Sequence, residues 1–71
     1  MADMDMLRAK IDGSGISMTF IAARCGITRN SLYNKLDGKS EFKASEILFL
    51  TRVLHLTPGE RDAIFFGEER E

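Results

Sequence analysis

Apolar residues recur every three or four positions between residues 18 and 36, which is the spacing of one face of a helix. They are Phe20, Ile21, Cys25, Leu32 and Leu36. Gly26 interrupts this run, and glycine is unfavourable inside a helix. Glycine does, however, adopt the left-handed conformation that a short turn between two helices often needs. The pattern therefore predicts two helices joined by a turn at Gly26.

Polar residues mark the boundaries of these two helices. Ser17 and Thr28 can each cap a helix by accepting a hydrogen bond from a backbone N–H of its first turn. The later helix should run from Arg29 to about Leu36 and end at residues 37–38, where Asp-Gly places a glycine just beyond the last turn. Ala22, four residues before Gly26, is small enough to let the two helices cross closely. These features predict a helix-turn-helix.

The flanking sequence predicts three more helices. The first is capped by Asp3 and ends at the glycines of residues 13–15. A fourth spans roughly residues 44–55. The sequence TPGE at residues 57–60 is a capping box with proline at the first helical position, so a fifth helix should continue to about Phe65. The predicted fold is all-α, a compact bundle of about five short helices.

With these elements in place, the chain resembles the phage Cro/repressor, or XRE-type, helix-turn-helix DNA-binding proteins. The resemblance is carried by the small residue, the turn glycine and the apolar spacing, and it continues through residues 37–39 and 42–66. The residues that carry it are Ala22, Gly26, Ile21, Cys25, Ile27, Leu32 and Leu36. It implies a lambda-repressor-like fold in one DNA-binding domain, residues 1–67, followed by an acidic tail, residues 68–71. The implied function is a small, sequence-specific repressor of phage or prophage origin.

The resemblance also implies which side chains read DNA bases: Arg29, Asn30 and Asn34, with Tyr33 beside them. Residue chemistry agrees, because successive helical residues turn by about 100° and the two asparagines point away from the apolar side. An Asn side chain matches adenine N6 and N7 in the major groove, and Arg matches guanine O6 and N7. The alternative is that both asparagines are merely solvated polar residues. Lys35 is less well placed for a contact with DNA, because its helical angle falls toward the core side.

Phosphate contacts are expected on both sides of this helix. Ser17, Thr19 and Thr28 lie at the starts of the two central helices, where hydroxyl and free backbone N–H groups can bind phosphate. Lys39 and Lys43 follow the reading helix and could contact the backbone across the groove. Each lysine could equally be a solubilising surface residue.

Charge is distributed unevenly along the chain, although the net charge is only −1. Residues 21–43 hold five basic side chains against two acidic ones, a net charge of +3. Residues 44–71 hold three basic side chains against six acidic ones, a net charge of −3. Such asymmetry would turn one part of the molecule toward phosphate. Ordinary surface scatter is the competing explanation.

Apolar residues near the C-terminus exceed what one small core should cover. Phe49, Val53, Phe65 and Phe66 are therefore predicted to form part of a two-fold dimer interface. Alternatively, most of them belong to the core of a single chain. A dimer would read an inverted repeat with half-sites about 34 Å apart. The competing function is a protein-interaction module of the same fold that docks another regulator through Leu48, Phe49 and Val53.

The remaining chemistry narrows the class of protein. Cys25 and His55 are the only cysteine and the only histidine, so an internal disulfide is excluded and a structural zinc site lacks ligands. No third group supports Cys25 as a nucleophile, so no enzyme activity, cofactor or small-molecule ligand is expected. No apolar run approaches the roughly 20 residues of a membrane span. These features predict a reducing, intracellular compartment, and the family resemblance implies the cytoplasm of a bacterial or phage-infected cell.

Overall fold

The computed structural model describes residues 2–67, and within that range the chain forms five α-helices and no strand. They are α1 (Met4–Ser14), α2 (Met18–Cys25), α3 (Arg29–Leu36), α4 (Ala44–Val53) and α5 (Pro58–Phe65). The predicted all-α class and the number of helices are confirmed. The predicted acidic tail at residues 68–71 lies outside the described residues.

Four of the five helices begin at a side chain that accepts a hydrogen bond from the N–H three residues later, at 3.0 or 3.1 Å. These capping residues are Asp3, Ser17, Thr28 and Thr57. Helix α4 begins differently, because the carboxylate of Glu46 accepts the backbone N–H of Lys43 at 2.9 Å. Each cap satisfies a donor that the helix itself leaves unpaired, which fixes the start of the helix at one residue.

The turn between α2 and α3 has the conformation that the glycine predicted. Gly26 has a φ of 76°, and the N–H of Ile27 reaches back to the carbonyl oxygen of Ala22 at 3.0 Å. The same arrangement ends α3, where Gly38 has a φ of 81°. These i→i+5 bonds satisfy the last carbonyls of each helix and turn the chain sharply. Helix α3 therefore starts and ends at defined residues.

All five helices contribute to one apolar core, and Leu56, between α4 and α5, completes it. The buried residues are Leu7, Ile11, Ile21, Ala22, Leu32, Leu36, Leu50, Leu56 and Ile64. Helix α2 packs against α3 and α4, and α1 packs against α3 and α5. Burying one leucine or isoleucine side chain contributes about 1.5–3 kcal/mol. The inner side of α3 is thus fixed by Leu32 and Leu36 and its outer side is left to the solvent.

The two ends of the described chain are joined. The N–H of Asp3 donates to the carbonyl oxygen of Ile64 at 2.8 Å, and Lys10 of α1 contacts Glu60 of α5 at 2.6 Å. None of the helices in residues 2–67 has the length and apolar character needed to cross a membrane.

Candidate nucleic-acid interface

Helix α3 presents an amide face, defined as Asn30 and Asn34, on the side away from the core. Asn30 is exposed and Asn34 is half-buried, whereas Leu32, Lys35 and Leu36 are buried. The helix is therefore held from one side only. Two amide side chains spaced by four residues lie one turn apart, so both can reach the same groove of a partner molecule.

Arg29 and Tyr33 form a second feature of α3, at the edge of the amide face. Arg29 is the first residue of the helix and is exposed. Its guanidinium carbon lies 5.9 Å from the centre of the Tyr33 ring, within the range of a cation–π contact. Tyr33 also lines a hollow with Ile11 and Met18, so its ring lies toward α1 and the start of α2. The structure therefore joins Tyr33 to Arg29 and places it at the flank of the asparagines.

The predicted phosphate ligands at the helix starts are partly engaged within the protein. The hydroxyl oxygens of Ser17 and Thr28 accept capping hydrogen bonds, which leaves each O–H hydrogen available for donation to another oxygen. Thr19 is exposed in the first turn of α2. All three residues stand at helix starts, where backbone N–H groups lack partners within the helix.

The two predicted phosphate-binding lysines lie in the segment between α3 and α4, which we define as the 37–43 segment. Lys39 and Lys43 are both exposed, while the backbone of each is held. The N–H of Lys39 donates to the carbonyl oxygen of Asn34 at 2.9 Å, and the N–H of Lys43 donates to Glu46. The side chains are therefore free to contact a partner from anchored backbone positions.

Lys35 differs from the other basic residues of residues 21–43 because it is buried. Its ammonium nitrogen lies 3.3 Å from Glu46 Oε1 and donates to the carbonyl oxygen of Glu41 at 2.8 Å. The sequence placed Lys35 on the core side of the helix, and this is confirmed. The exposed basic residues are Arg24, Arg29, Lys39 and Lys43. Of the two acidic residues in this range, Asp37 pairs with Arg8 of α1, and Glu41 is exposed between the two lysines.

Sequence reasoning missed two contacts near this surface. The guanidinium of Arg24 lies 5.7 Å from the centre of the Phe20 ring, which is exposed. Their i, i+4 spacing on α2 was the available signal. Arg8, in contrast, pairs with Asp37 from 29 residues away, and no local pattern indicates that contact.

The lone cysteine has the environment of a structural residue. Cys25 is half-buried, and its pKa is raised by burial and also by the nearby Glu46 carboxylate, with Lys35 opposing the shift. A raised pKa keeps the thiol protonated near neutral pH, which disfavours nucleophilic chemistry. Among residues 2–67, no group of His, Cys, Asp and Glu side chains could hold a metal ion.

The four residues predicted for a dimer interface are divided between two flanks of the molecule. Phe49, Val53 and Phe65 are half-buried and pack against the core of their own chain, whereas Phe66 is 52% exposed. Phe66 shares a hollow with Leu48, which is 53% exposed. Val53 lines a different hollow, beside α1. The exposed apolar pair is thus Leu48 and Phe66, and the four-residue interface stays a prediction.

Comparison of the chain with protein-family models, with curated proteins and with solved structures gave no significant match.

Proposed function

We propose that α2, the turn at residues 26–28 and α3 form a helix-turn-helix that binds double-stranded DNA with α3 in the major groove. The observation that carries this proposal is the division of α3. Its inner side is fixed by buried residues, and its outer side presents Arg29, Asn30 and Asn34. A rigid helix with guanidinium and amide groups on its free side suits readout of base edges.

Each outward side chain has a distinct role in this proposal. Arg29 lies in the first turn, the end of a recognition helix that approaches the base edges, and would donate two hydrogen bonds to guanine. Asn30 and Asn34 would each pair with an adenine edge. The ring of Tyr33 contacts Arg29 from the flank and restricts its rotamers before binding. Arg29 therefore loses less conformational entropy when it binds DNA.

Phosphate contacts would set the position of α3 on the duplex. Ser17, Thr19 and Thr28 would donate from the helix starts, and Lys39 and Lys43 would contact the backbone from the 37–43 segment. Such contacts carry no sequence information but make the affinity depend on salt. The affinities of variants are therefore compared at one fixed ionic strength.

The biological role that follows is a small transcriptional repressor of the XRE type, acting in the cytoplasm of a bacterial or phage-infected cell. Two copies would occupy an inverted repeat with half-site centres about 34 Å apart. The dimer would form at least on DNA, with no metal, cofactor or small-molecule ligand.

The first test is selection of bound duplexes from a randomised pool at near-physiological salt. We expect enrichment of an inverted repeat. The double variant R29A/N34A should then bind that repeat about 2–6 kcal/mol more weakly per bound copy, since each bidentate contact contributes about 1–3 kcal/mol of base discrimination.

The matched control for this double variant is R52A. It removes the same charge from an exposed position on α4 and should leave specific binding unchanged. A folded wild-type protein that enriches no sequence would refute the proposal.

A protein-interaction module is the second candidate function, favoured by the exposed pair Leu48 and Phe66. Large side chains that are about half exposed on one surface are common at contact sites between proteins. In this case L48E should abolish partner binding, and R29A/N34A should leave it intact. If the function is DNA recognition by α3, R29A/N34A should abolish specific duplex binding and L48E should leave it intact.

A further inference from the structure

The buried pair of Lys35 and Glu46 contacts the 37–43 segment at three residues. Lys35 Nζ donates to the carbonyl oxygen of Glu41, and the same nitrogen lies 5.7 Å from the centre of the Phe42 ring. Glu46 Oε1 accepts the backbone N–H of Lys43 at 2.9 Å and lies 3.3 Å from Lys35 Nζ. Together with the Lys39 N–H on Asn34, these bonds hold the segment at residues 39, 41 and 43.

We propose that Lys35 and Glu46 are positioning residues, which fix the phosphate-binding lysines Lys39 and Lys43 relative to the reading face of α3. The inference rests on the proposed function, because it assigns a role to the pair only when α3 is in the groove. Lys35 lies on α3 itself, on its buried side, about 100° around the helix from Asn34 and about 140° from Asn30. The pair therefore connects the base-reading helix directly to the segment that would contact the backbone.

Stability alone is a weak reason for this pair. Its side chains are only 8% and 4% exposed, and an ion pair so deeply buried loses much of its attraction to the cost of removing both charges from water. Apolar side chains of similar volume are often equally or more stable in such a place. They cannot, however, bind the Glu41 carbonyl or the Lys43 N–H. An apolar pair would therefore leave the 37–43 segment without the hydrogen bonds that orient it.

The chain contains a natural comparison for this arrangement at the start of α5. Glu60 accepts the N–H of Thr57 at 2.9 Å and also contacts Lys10, which reaches it from α1 at 2.6 Å. The carboxylate is three residues beyond the capping position in both places. The Lys10–Glu60 pair is more exposed, at 37% and 28%, and residues 54–57 before it contain no lysine or arginine. It should therefore contribute to folding but not to phosphate contact.

The experiment compares K35M/E46L with K10M/E60L, two double variants that leave the net charge unchanged. The first readout is hydrogen exchange of the Lys43 amide in the DNA-free protein. The second is the slope of log K against log salt concentration for the selected duplex, which becomes shallower by about 0.9 for each phosphate that the protein no longer neutralises.

We expect K35M/E46L to stay folded, to exchange the Lys43 amide faster and to have a slope shallower by up to about 1.8 per bound copy, the value for two phosphates. Adding K39Q/K43Q should then change its slope little, whereas the same pair of changes in the wild type should reduce the slope by that amount. K10M/E60L should keep the wild-type slope and the wild-type exchange at Lys43.

A folded K35M/E46L protein with an unchanged slope would overturn the proposal, whatever the exchange at Lys43 shows. If K35M/E46L does not fold, E46D replaces it, since the shorter side chain keeps the charge but cannot span Lys35 and the Lys43 N–H as Glu46 does. An unchanged slope in folded E46D would be equally decisive against the proposal. Failure of the proposed function itself is recognised separately, because the wild type would then enrich no duplex.

Discussion

Replacing Asn30 and Asn34 together by alanine should stabilise the protein while weakening specific DNA binding. Both side chains lie on the outer side of α3, with Asn30 exposed and Asn34 half-buried. Asparagine is a poorer helix former than alanine, because its side chain competes for backbone hydrogen bonds. If the two amides are only solvated, their removal should leave the affinity for DNA unchanged. If they read bases, their removal should lower that affinity.

The expected magnitudes have opposite signs. Each asparagine costs up to about 0.7 kcal/mol of helix stability relative to alanine, and Asn30 lies in the first turn, where the cost is smaller, so the two changes together should add about 1 kcal/mol. In a domain of this size that raises the Tm by about 4–8 °C. If both amides pair with adenines, the loss of specific affinity is about 2–6 kcal/mol per bound copy, or about 30-fold at the least.

Thermal unfolding followed by circular dichroism measures the first quantity, and titration of the selected duplex at fixed salt measures the second. S45A is the matched control, since it replaces an exposed polar residue by alanine on α4. Its duplex affinity should equal that of the wild type. A double variant that is stabilised and still binds with full affinity would refute the base-reading role. A destabilised one would refute the propensity argument.

Three further predictions concern the backbone and the charges around the helices. G26A should destabilise the protein by about 1 kcal/mol, because Gly26 has a φ of 76°. G13A should stabilise it by about 0.5–1 kcal/mol, because Gly13 lies inside α1 with equally open space around it. Urea unfolding of both variants tests these opposite signs. H55G should raise the free energy of unfolding in the same assay by up to about 1 kcal/mol, since His55 is the only non-glycine residue of the described chain with positive φ, at 55°. The pKa of Glu60 is lowered by its hydrogen bonds to Lys10 and to the helix start, so its stabilisation is complete above the unfolded pKa of about 4.3 and is lost as the pH falls through the folded pKa. E60Q should therefore be less stable at neutral pH and should lose less stability on acidification, and equal acid sensitivity of the two proteins would contradict this.

The helix boundaries could be predicted because their causes are local. Ser17, Thr28 and Thr57 each bond to an N–H three residues away, and Gly26 and Gly38 adopt the left-handed conformation that ends a helix. Such contacts depend on a few adjacent residues, which the sequence displays directly. The sequence defines the start of α4 less sharply, because Lys43 has no capping side-chain bond and Glu46 acts in its place.

The contacts that orient the candidate interface were beyond the sequence because they join distant residues. The helical angle of Lys35 indicated its side of α3 but not its partners, which come from the 37–43 segment and α4. Arg8 and Asp37 likewise meet only through the packing of α1 on α3. A local pattern predicts on which side of a helix a residue lies, but the contacts of that residue depend on how the helices pack.

The predicted dimer residues show the same limit on a larger scale. Hydrophobicity identified Phe49 and Val53 as excess apolar surface, but it could not tell which flank of α4 the rest of the chain covers. In the fold both residues pack against the core, and the large apolar side chains exposed within residues 44–67 are Leu48 and Phe66. Residues 100° apart on one helix can face a core and a solvent, so a count of apolar residues overestimates the surface available to a partner.

The division of labour within α3 explains why its sequence looks unfavourable for a helix. Only Leu32 and Leu36 supply buried apolar area, and eight residues are too few for a stable isolated helix. Its order comes instead from the Thr28 cap, the turn at Gly38 and the buried ammonium of Lys35. Because these interactions stabilise the helix, the outer side chains need not contribute to its stability. The outer residues can therefore be chosen for recognition, and two asparagines that weaken the helix are tolerated because the fold does not depend on them.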